Sequence, residues 1–323
     1  METIAVVGAG RIGLPIVRNL VRRGYAVRVL DVNAKLAQSV RDIGARWTPE
    51  VPELLDGAHV VFTILPGSPE LSAVMLGGGR HGPGLLSLIG PTTTWIDLTS
   101  ASPELGARLA EAAEERAVAY LEAPLGGGPT AAEDATLTLY AGGDESLLER
   151  HRTLLAGIAE PTAIRHLGGH GTGYLTKLLV NQLWFGQALA VGEALLLGQS
   201  AGLSPGALRE VLGDSPASSA FITDYLPHLF AGDYLPSFGL DRCVEELESV
   251  QALADQLGTP SPLSGQVVEL YRSALRHYGA ANGELLGVAY LEHLAGRRLS
   301  DDRGDPGCTG ALSPVCRRRP SRR

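Results

Sequence analysis

The chain of 323 residues has few cysteines and an excess of acidic over basic residues, and no long apolar run in it stays free of polar groups. Cys243, Cys308 and Cys316 are too few for a disulfide framework, and no two have the close spacing of a metal-ligand pair. The eight histidines are scattered, with no HExxH, so no metal site is expected. A net charge of −8 argues against a nucleic-acid binder, because neutralising phosphates requires clustered Lys and Arg. The long apolar stretch 173–202 contains Lys177, Asn181, Gln182, Gln187 and Glu193, which makes it a buried helix rather than a membrane span. The N-terminal apolar run follows Glu2 and is broken by glycines and Arg11, unlike a secretory signal, so a cytoplasmic location is expected. Basic residues gather between Arg297 and Arg323, where apolar periodicity is lost. Residues 300–323 are expected to be a disordered tail.

What remains is an ordinary globular composition, 45% hydrophobic and 19% charged, long enough for two domains. Residues 3–7 (TIAVV) read as a buried strand, 14–23 as a helix stopped by Gly24, and 25–31 (YAVRVLD) as the next strand. That is the size of a βαβ unit, about thirty residues. Further strands are expected at 59–65, 93–99, 119–124 and 136–142, with helices between most of them, which implies a mainly parallel, doubly wound sheet. Past residue 165 the strand-like runs stop. Helices are expected at 173–201, 204–212, 216–231, 239–257, 262–277 and 282–296. The fold class is α/β: an N-terminal Rossmann domain (1–165) and an all-helical domain (166–299), joined by the long helix 173–201.

Gly8-Ala9-Gly10-Arg11-Ile12-Gly13 is a GxGxxG between a strand and a helix, with Asp31 about twenty positions on at the end of the second strand. In that context Gly8 permits the tight turn, Gly10 lets the backbone approach a pyrophosphate, and Gly13 lets the helix pack on the strand. The helix-start N–H groups, with Arg11 and Ile12, favour negative phosphates. A carboxylate at Asp31 accepts bonds from ribose hydroxyls and repels a 2′-phosphate. Val32 and Asn33 follow it without an Arg to clamp one. NAD is the expected cofactor, with NADP the alternative.

The opening GAGRIGLPIVRNLVRRGYAV resembles that of the β-hydroxyacid dehydrogenases, the group containing 3-hydroxyisobutyrate dehydrogenase, which is related in fold to 6-phosphogluconate dehydrogenase. Leu65-Pro66-Gly67-Ser68 is similar to the family's cofactor-side Leu-Pro loop. Asp97-Leu98-Thr99-Ser100 is similar to its Asp-x-Ser-Thr segment, and Glu122-Ala123-Pro124-Leu125-Gly126-Gly127-Gly128 to its Asp-Ala-Pro-Val-Ser-Gly-Gly segment. Gly168-x-x-Gly171-x-Gly173, followed by Lys177 and Asn181, is similar to its catalytic helix. The resemblance implies that Lys177 is the catalytic acid/base, supported by Asn181. It also implies that Thr99, Ser100 and Gly126–Gly128 meet the substrate, and that Leu65, Pro66, Thr99 and Glu245 lie by the cofactor. The residues agree on their own account: a Lys on an apolar helix wall can exchange a proton with a carbonyl oxygen, and Asn181 shares its helix face.

Two features depart from the family. Its serine is Gly126, and its Lys-Asp pair on a C-terminal-domain helix is Glu245-Glu246. An imine reductase acting on a cyclic imine is therefore one alternative, although members of that group lack the Lys. A non-catalytic NAD-binding regulatory protein is the other. The expected partner is a small molecule, and the chain is expected to form a homodimer or homotetramer.

Overall fold

The computed structural model describes residues 2–78 and 82–301. By contacts the chain divides into two compact units, Met1–Val180 and Asn181–Arg323.

The first unit is an α/β domain. Strands β1 (Thr3–Val7), β2 (Ala26–Leu30), β3 (Arg46–Trp47), β4 (Val60–Thr63), β5 (Thr94–Asp97) and β6 (Ala119–Glu122) pair in parallel in the order β3-β2-β1-β4-β5-β6. This is the doubly wound arrangement, with its crossover point between β1 and β4. Each strand is a short apolar run because both sheet faces are covered. Ile4, Val6, Phe62, Ile96 and Leu121 enter one core, while Ala5, Val7, Val61, Trp95 and Tyr120 enter the other. That alternation is the period-two geometry of a strand. Helix α1 (Gly13–Arg22) buries Ile16, Val17 and Leu20 against the first core, each worth roughly 1.5–3 kcal/mol of burial.

Past β6 the sheet changes direction. Strand β7 (Leu125–Gly126) and β6 pair antiparallel with β8 (Leu137–Gly143), and β9 (Ala159–His166) runs parallel to β8. Short elements fill the crossovers: α2 (Ala37–Asp42), α3 (Val51–Leu55), α4 (Ser68–Leu76), α5 (Pro103–Glu114), α6 (Gly128–Asp134) and α7 (Glu145–Leu155).

The chain leaves this unit within helix α8 (Thr172–Ser200), whose Tyr174 still belongs to the second of its cores. The other unit is helical among its described residues: α9 (Pro205–Gly213), α10 (Leu226–Phe230), α11 (Leu240–Gln256), α12 (Pro262–Tyr278) and α13 (Leu286–Ala295). Phe185, Phe221, Leu240, Tyr271 and Val288 sit in its core. The helix expected over 216–231 is shorter than its periodicity suggested. Turn and coil occupy 214–219, and a single π turn, Phe221–Tyr225, precedes α10. The stretch 214–219 (DSPASS) is rich in turn formers, with Ser215 Oγ accepting from Ala217 N at 3.1 Å, and beyond it Trp184 meets both Phe221 and Tyr225 edge to face, at centroid distances of 5.4 and 4.6 Å.

Among the described residues no helix is long and apolar enough to cross a membrane, and no group of three or more His, Cys, Asp or Glu is placed to hold a metal ion. Cys243 is buried, whereas Cys308, Cys316 and nearly all of the tail expected at 300–323 lie outside the described residues.

Candidate active site

Three of the parallel strands deliver a carboxylate at or just past their C-terminal ends: Asp31 after β2, Asp97 on β5 and Glu122 on β6. Open α/β sheets bind ligands at that edge.

The glycine turn leads from β1 into α1. Gly8 has φ +102°, and a Cβ there would lie 2.2 Å from the Ile64 carbonyl oxygen. A Cβ on Gly13 would lie 2.2 Å from the Gly8 carbonyl oxygen. Both glycines are dictated by the fold itself. Gly10 is different, because a Cβ there would meet nothing within 4 Å. The protein leaves open space over that position, and no side chain caps the start of α1, so its first N–H groups suit an anion. Asp31 is fixed beside this turn, with Oδ2 accepting from Ala9 N at 2.7 Å and Oδ1 from Asn33 N at 2.8 Å. The Asn33 side chain caps the next turn through Lys35 N. Val32 is fully exposed (101%) and has no packing partner. The open cradle, the fixed carboxylate and the bare apolar surface together fit a dinucleotide.

The Leu65-Pro66 loop follows β4. Leu65 N donates to Thr99 Oγ1 at 3.1 Å, and Thr99 in turn hydrogen-bonds Asp97. Thr99 is buried, so its hydroxyl ties the loop to the strand end. Ser100 is partly exposed, and among the described residues its hydroxyl has no partner. Of the two, Ser100 is the hydroxyl available to a ligand.

Beneath these loops lies a buried polar network. Tyr120 donates to Tyr174, which donates to Asp97 Oδ2 at 2.7 Å. Thr63 donates to Asp97 Oδ1 and accepts from Trp95 Nε1 at 2.9 Å. Burial pushes the Asp97 carboxyl up to about 6 against the pull of its hydrogen bonds. Burial, and then the nearby carboxylates, keep the Tyr120 and Tyr174 hydroxyls far above the usual phenol range. Trp95 stacks on Tyr120 at 4.0 Å, and Tyr120 on His170 at 4.8 Å.

Glu122 fastens the start of α8. Its Oε2 accepts from Gly171 N at 2.9 Å and its Oε1 from Gly173 N at 2.8 Å. A Cβ on Gly142 would lie 2.1 Å from Oε1, and one on Gly173 would lie 2.3 Å from the Tyr140 carbonyl oxygen. The glycines of the 168–173 segment and of β8 therefore make room for this carboxylate. Burial raises Glu122 to about 7, again against its hydrogen bonds. Lys177 lies one turn beyond the fastened residues and is partly buried.

Gly127 and Gly128 have φ of +109° and +68° at the turn into α6, a conformation in which successive N–H groups converge. In the helical unit, Asn181 Nδ2 donates to Glu246 at 2.5 Å, and Arg242 Nη1 lies 2.7 Å from Glu245. Glu245 is thus an anion with a cation one turn before it on α11. Sequence reasoning placed the Asp97–Ser100 segment at the site without giving Asp97 a role of its own, and left Tyr174 and Tyr140 out. For Asp97 a signal existed, an apolar strand ending in an acid. Tyr174 and Tyr140 are apolar-looking positions whose hydroxyls matter only through their neighbours.

Comparison with known proteins agrees with this geometry. A family model described as the NAD binding domain of 6-phosphogluconate dehydrogenase matches residues 3–168. A second, described as NAD-binding of NADP-dependent 3-hydroxyisobutyrate dehydrogenase, matches residues 171–290. The NAD-dependent L-serine dehydrogenase of Pseudomonas aeruginosa is 29% identical, over 85% of this chain and 93% of its own length. The 3-hydroxyisobutyrate dehydrogenase of that organism is 31% identical, over 70% of this chain and 74% of its own. The structure of Mycobacterium tuberculosis 3-hydroxyisobutyrate dehydrogenase with L-serine superposes with a TM-score of 0.80 at 27% identity, covering 90% of this chain and 99% of that one. With an open glycine cradle, a strand-end carboxylate and these relatives, the chain belongs to the β-hydroxyacid dehydrogenase superfamily of NAD(P)-dependent oxidoreductases.

Proposed function

We propose that the chain is an NAD-preferring dehydrogenase that interconverts a small β-hydroxy acid and its semialdehyde, with Lys177 moving the proton. The observation carrying this reading is the position of Lys177 on α8, one turn past the segment that buried Glu122 holds by two backbone bonds.

Gly8, Gly10, Arg11, Ile12 and Gly13 would hold the pyrophosphate, and Asp31, Val32 and Asn33 the adenosine end. Leu65, Pro66 and Thr99 would lie near the reacting end. The nicotinamide, when bound, accepts or supplies the hydride. During oxidation the substrate's carbinol hydrogen leaves with its electron pair, and the hydroxyl proton passes to the Lys177 amine. During reduction the Lys177 ammonium returns a proton to the carbonyl oxygen. Asn181, held by Glu246, would keep that helix face in register. Ser100 and the N–H groups of Gly126, Gly127 and Gly128 would orient the substrate. The charge of Asp31 disfavours a 2′-phosphate, which supports NAD over NADP.

The test is a hydride-transfer assay over β-hydroxy acids, neutral carbonyls and cyclic imines with both cofactors. Turnover of β-hydroxy acids with NAD is expected. Turnover of imines alone would assign the chain to the imine-reducing branch, and cofactor binding without turnover of anything would indicate a regulatory protein. Helix α8 also exposes Leu179, Val180 and Leu183 side by side, which supports assembly into a homodimer or homotetramer.

A further inference from the structure

The β7–β8–β9 ribbon has one face against the aliphatic core, through Leu139 and Ile164. Alternation puts Thr138, Tyr140 and Arg165 on the opposite face. Gly126 pairs directly with Thr138, and Tyr140 pairs with Arg165. A Cβ built on Gly126 would lie 3.2 Å from the Tyr140 hydroxyl oxygen and 3.4 Å from its ring. The tyrosine hydroxyl therefore sits where a side chain at 126 would project. Among the described residues neither the Thr138 nor the Tyr140 hydroxyl has a hydrogen-bond partner. Arg165 is exposed and lies close enough for its charge to act on the Tyr140 hydroxyl.

We propose that Tyr140 is the substrate-anchoring residue of this site: its hydroxyl donates to the carboxylate of the hydroxy acid beside Gly126, and Arg165 supplies the balancing positive charge. This rests on the reading that Gly126–Gly128 meet the substrate. The glycine at 126 is then half of a pair. Losing a side chain there makes room for a longer one from the next strand, which carries a hydroxyl to the same spot. The site remains one for an acidic substrate.

The decisive comparison uses wild type, Tyr140→Phe and Arg165→Gln with 3-hydroxyisobutyrate, its methyl ester, and the unreactive acid isobutyrate followed by saturation-transfer NMR. A hydrogen bond to a charged group is worth about 1.5–3 kcal/mol. Removing the Tyr140 hydroxyl should therefore raise KM for the acid roughly 10- to 100-fold and weaken isobutyrate similarly, cost the ester, a neutral acceptor, only about 2- to 10-fold, and leave the NADH dissociation constant unchanged. Arg165→Gln should weaken both acids and leave the ester unaffected. Equal acid binding by wild type and Tyr140→Phe overturns the proposal, as does equal loss for acid and ester. If no substrate turns over, the dehydrogenase reading fails by itself. Isobutyrate binding then decides the anchor, which is upheld by loss in Tyr140→Phe and refuted if wild type does not bind the acid.

Discussion

Gly10 and Gly13 belong to one turn but answer to different constraints. Gly13 has a backbone oxygen where its side chain would go, while Gly10 faces open space. Gly13→Val should therefore destabilise the fold by several kcal/mol, on the scale of other strained core substitutions, about 4 or more. Gly10→Val should leave thermal unfolding nearly unchanged and raise the NADH dissociation constant at least tenfold, as fluorescence titration would show. The glycine spacing and Asp31 were readable in the sequence because they lie on one local unit with a fixed spacing. The Gly126–Tyr140 relation was not, since it joins positions on different strands and depends on which face each strand turns inward. Thr99 illustrates the same limit: its residue type fitted a substrate contact, but only the fold reveals that its hydroxyl serves Leu65 and Asp97.

Helix α8 depends on an element that precedes it by some fifty residues, β6, whose terminal Glu122 caps its first turn from below. Removing that carboxylate leaves the buried Gly173 N–H and the partly buried Gly171 N–H without acceptors, at roughly 1–3 kcal/mol each. Glu122→Ala should accordingly lower the unfolding free energy by about 2–6 kcal/mol and reduce kcat more than it raises KM, as denaturant unfolding and steady-state kinetics would measure. The long helix was legible from its length and apolar content, and the strands β1, β2, β4, β5, β6 and β8 from their short apolar runs. Strand β9 was missed because it alternates weakly and carries Glu160, Pro161 and Thr162 at an exposed edge. Strands β3 and β7 are two residues each, too short for any period to register. The 216–231 stretch was overextended because apolar spacing alone does not weigh the turn-forming run DSPASS at 214–219 against it.

At the scale of the molecule, two buried carboxyls set an unusual pH response. Asp97 and Glu122 have folded-state values of about 6 and about 7, above their ordinary 3.8 and 4.5. The folded chain thus holds these protons more tightly than the unfolded chain. The stabilisation is complete below the ordinary values and is lost as pH rises through 6 and 7. The melting temperature should fall between pH 5 and pH 8, and Asp97→Asn should flatten part of that slope, which differential scanning calorimetry would resolve. The central claim, that this fold places a proton carrier on α8 to accompany hydride transfer, rests on one side chain. The most direct measurement is turnover of 3-hydroxyisobutyrate by Lys177→Ala, with NADH binding measured on the same preparation. A loss of kcat of roughly 10²-fold or more with unchanged NADH binding is the expected result. Wild-type turnover by the variant would contradict the claim.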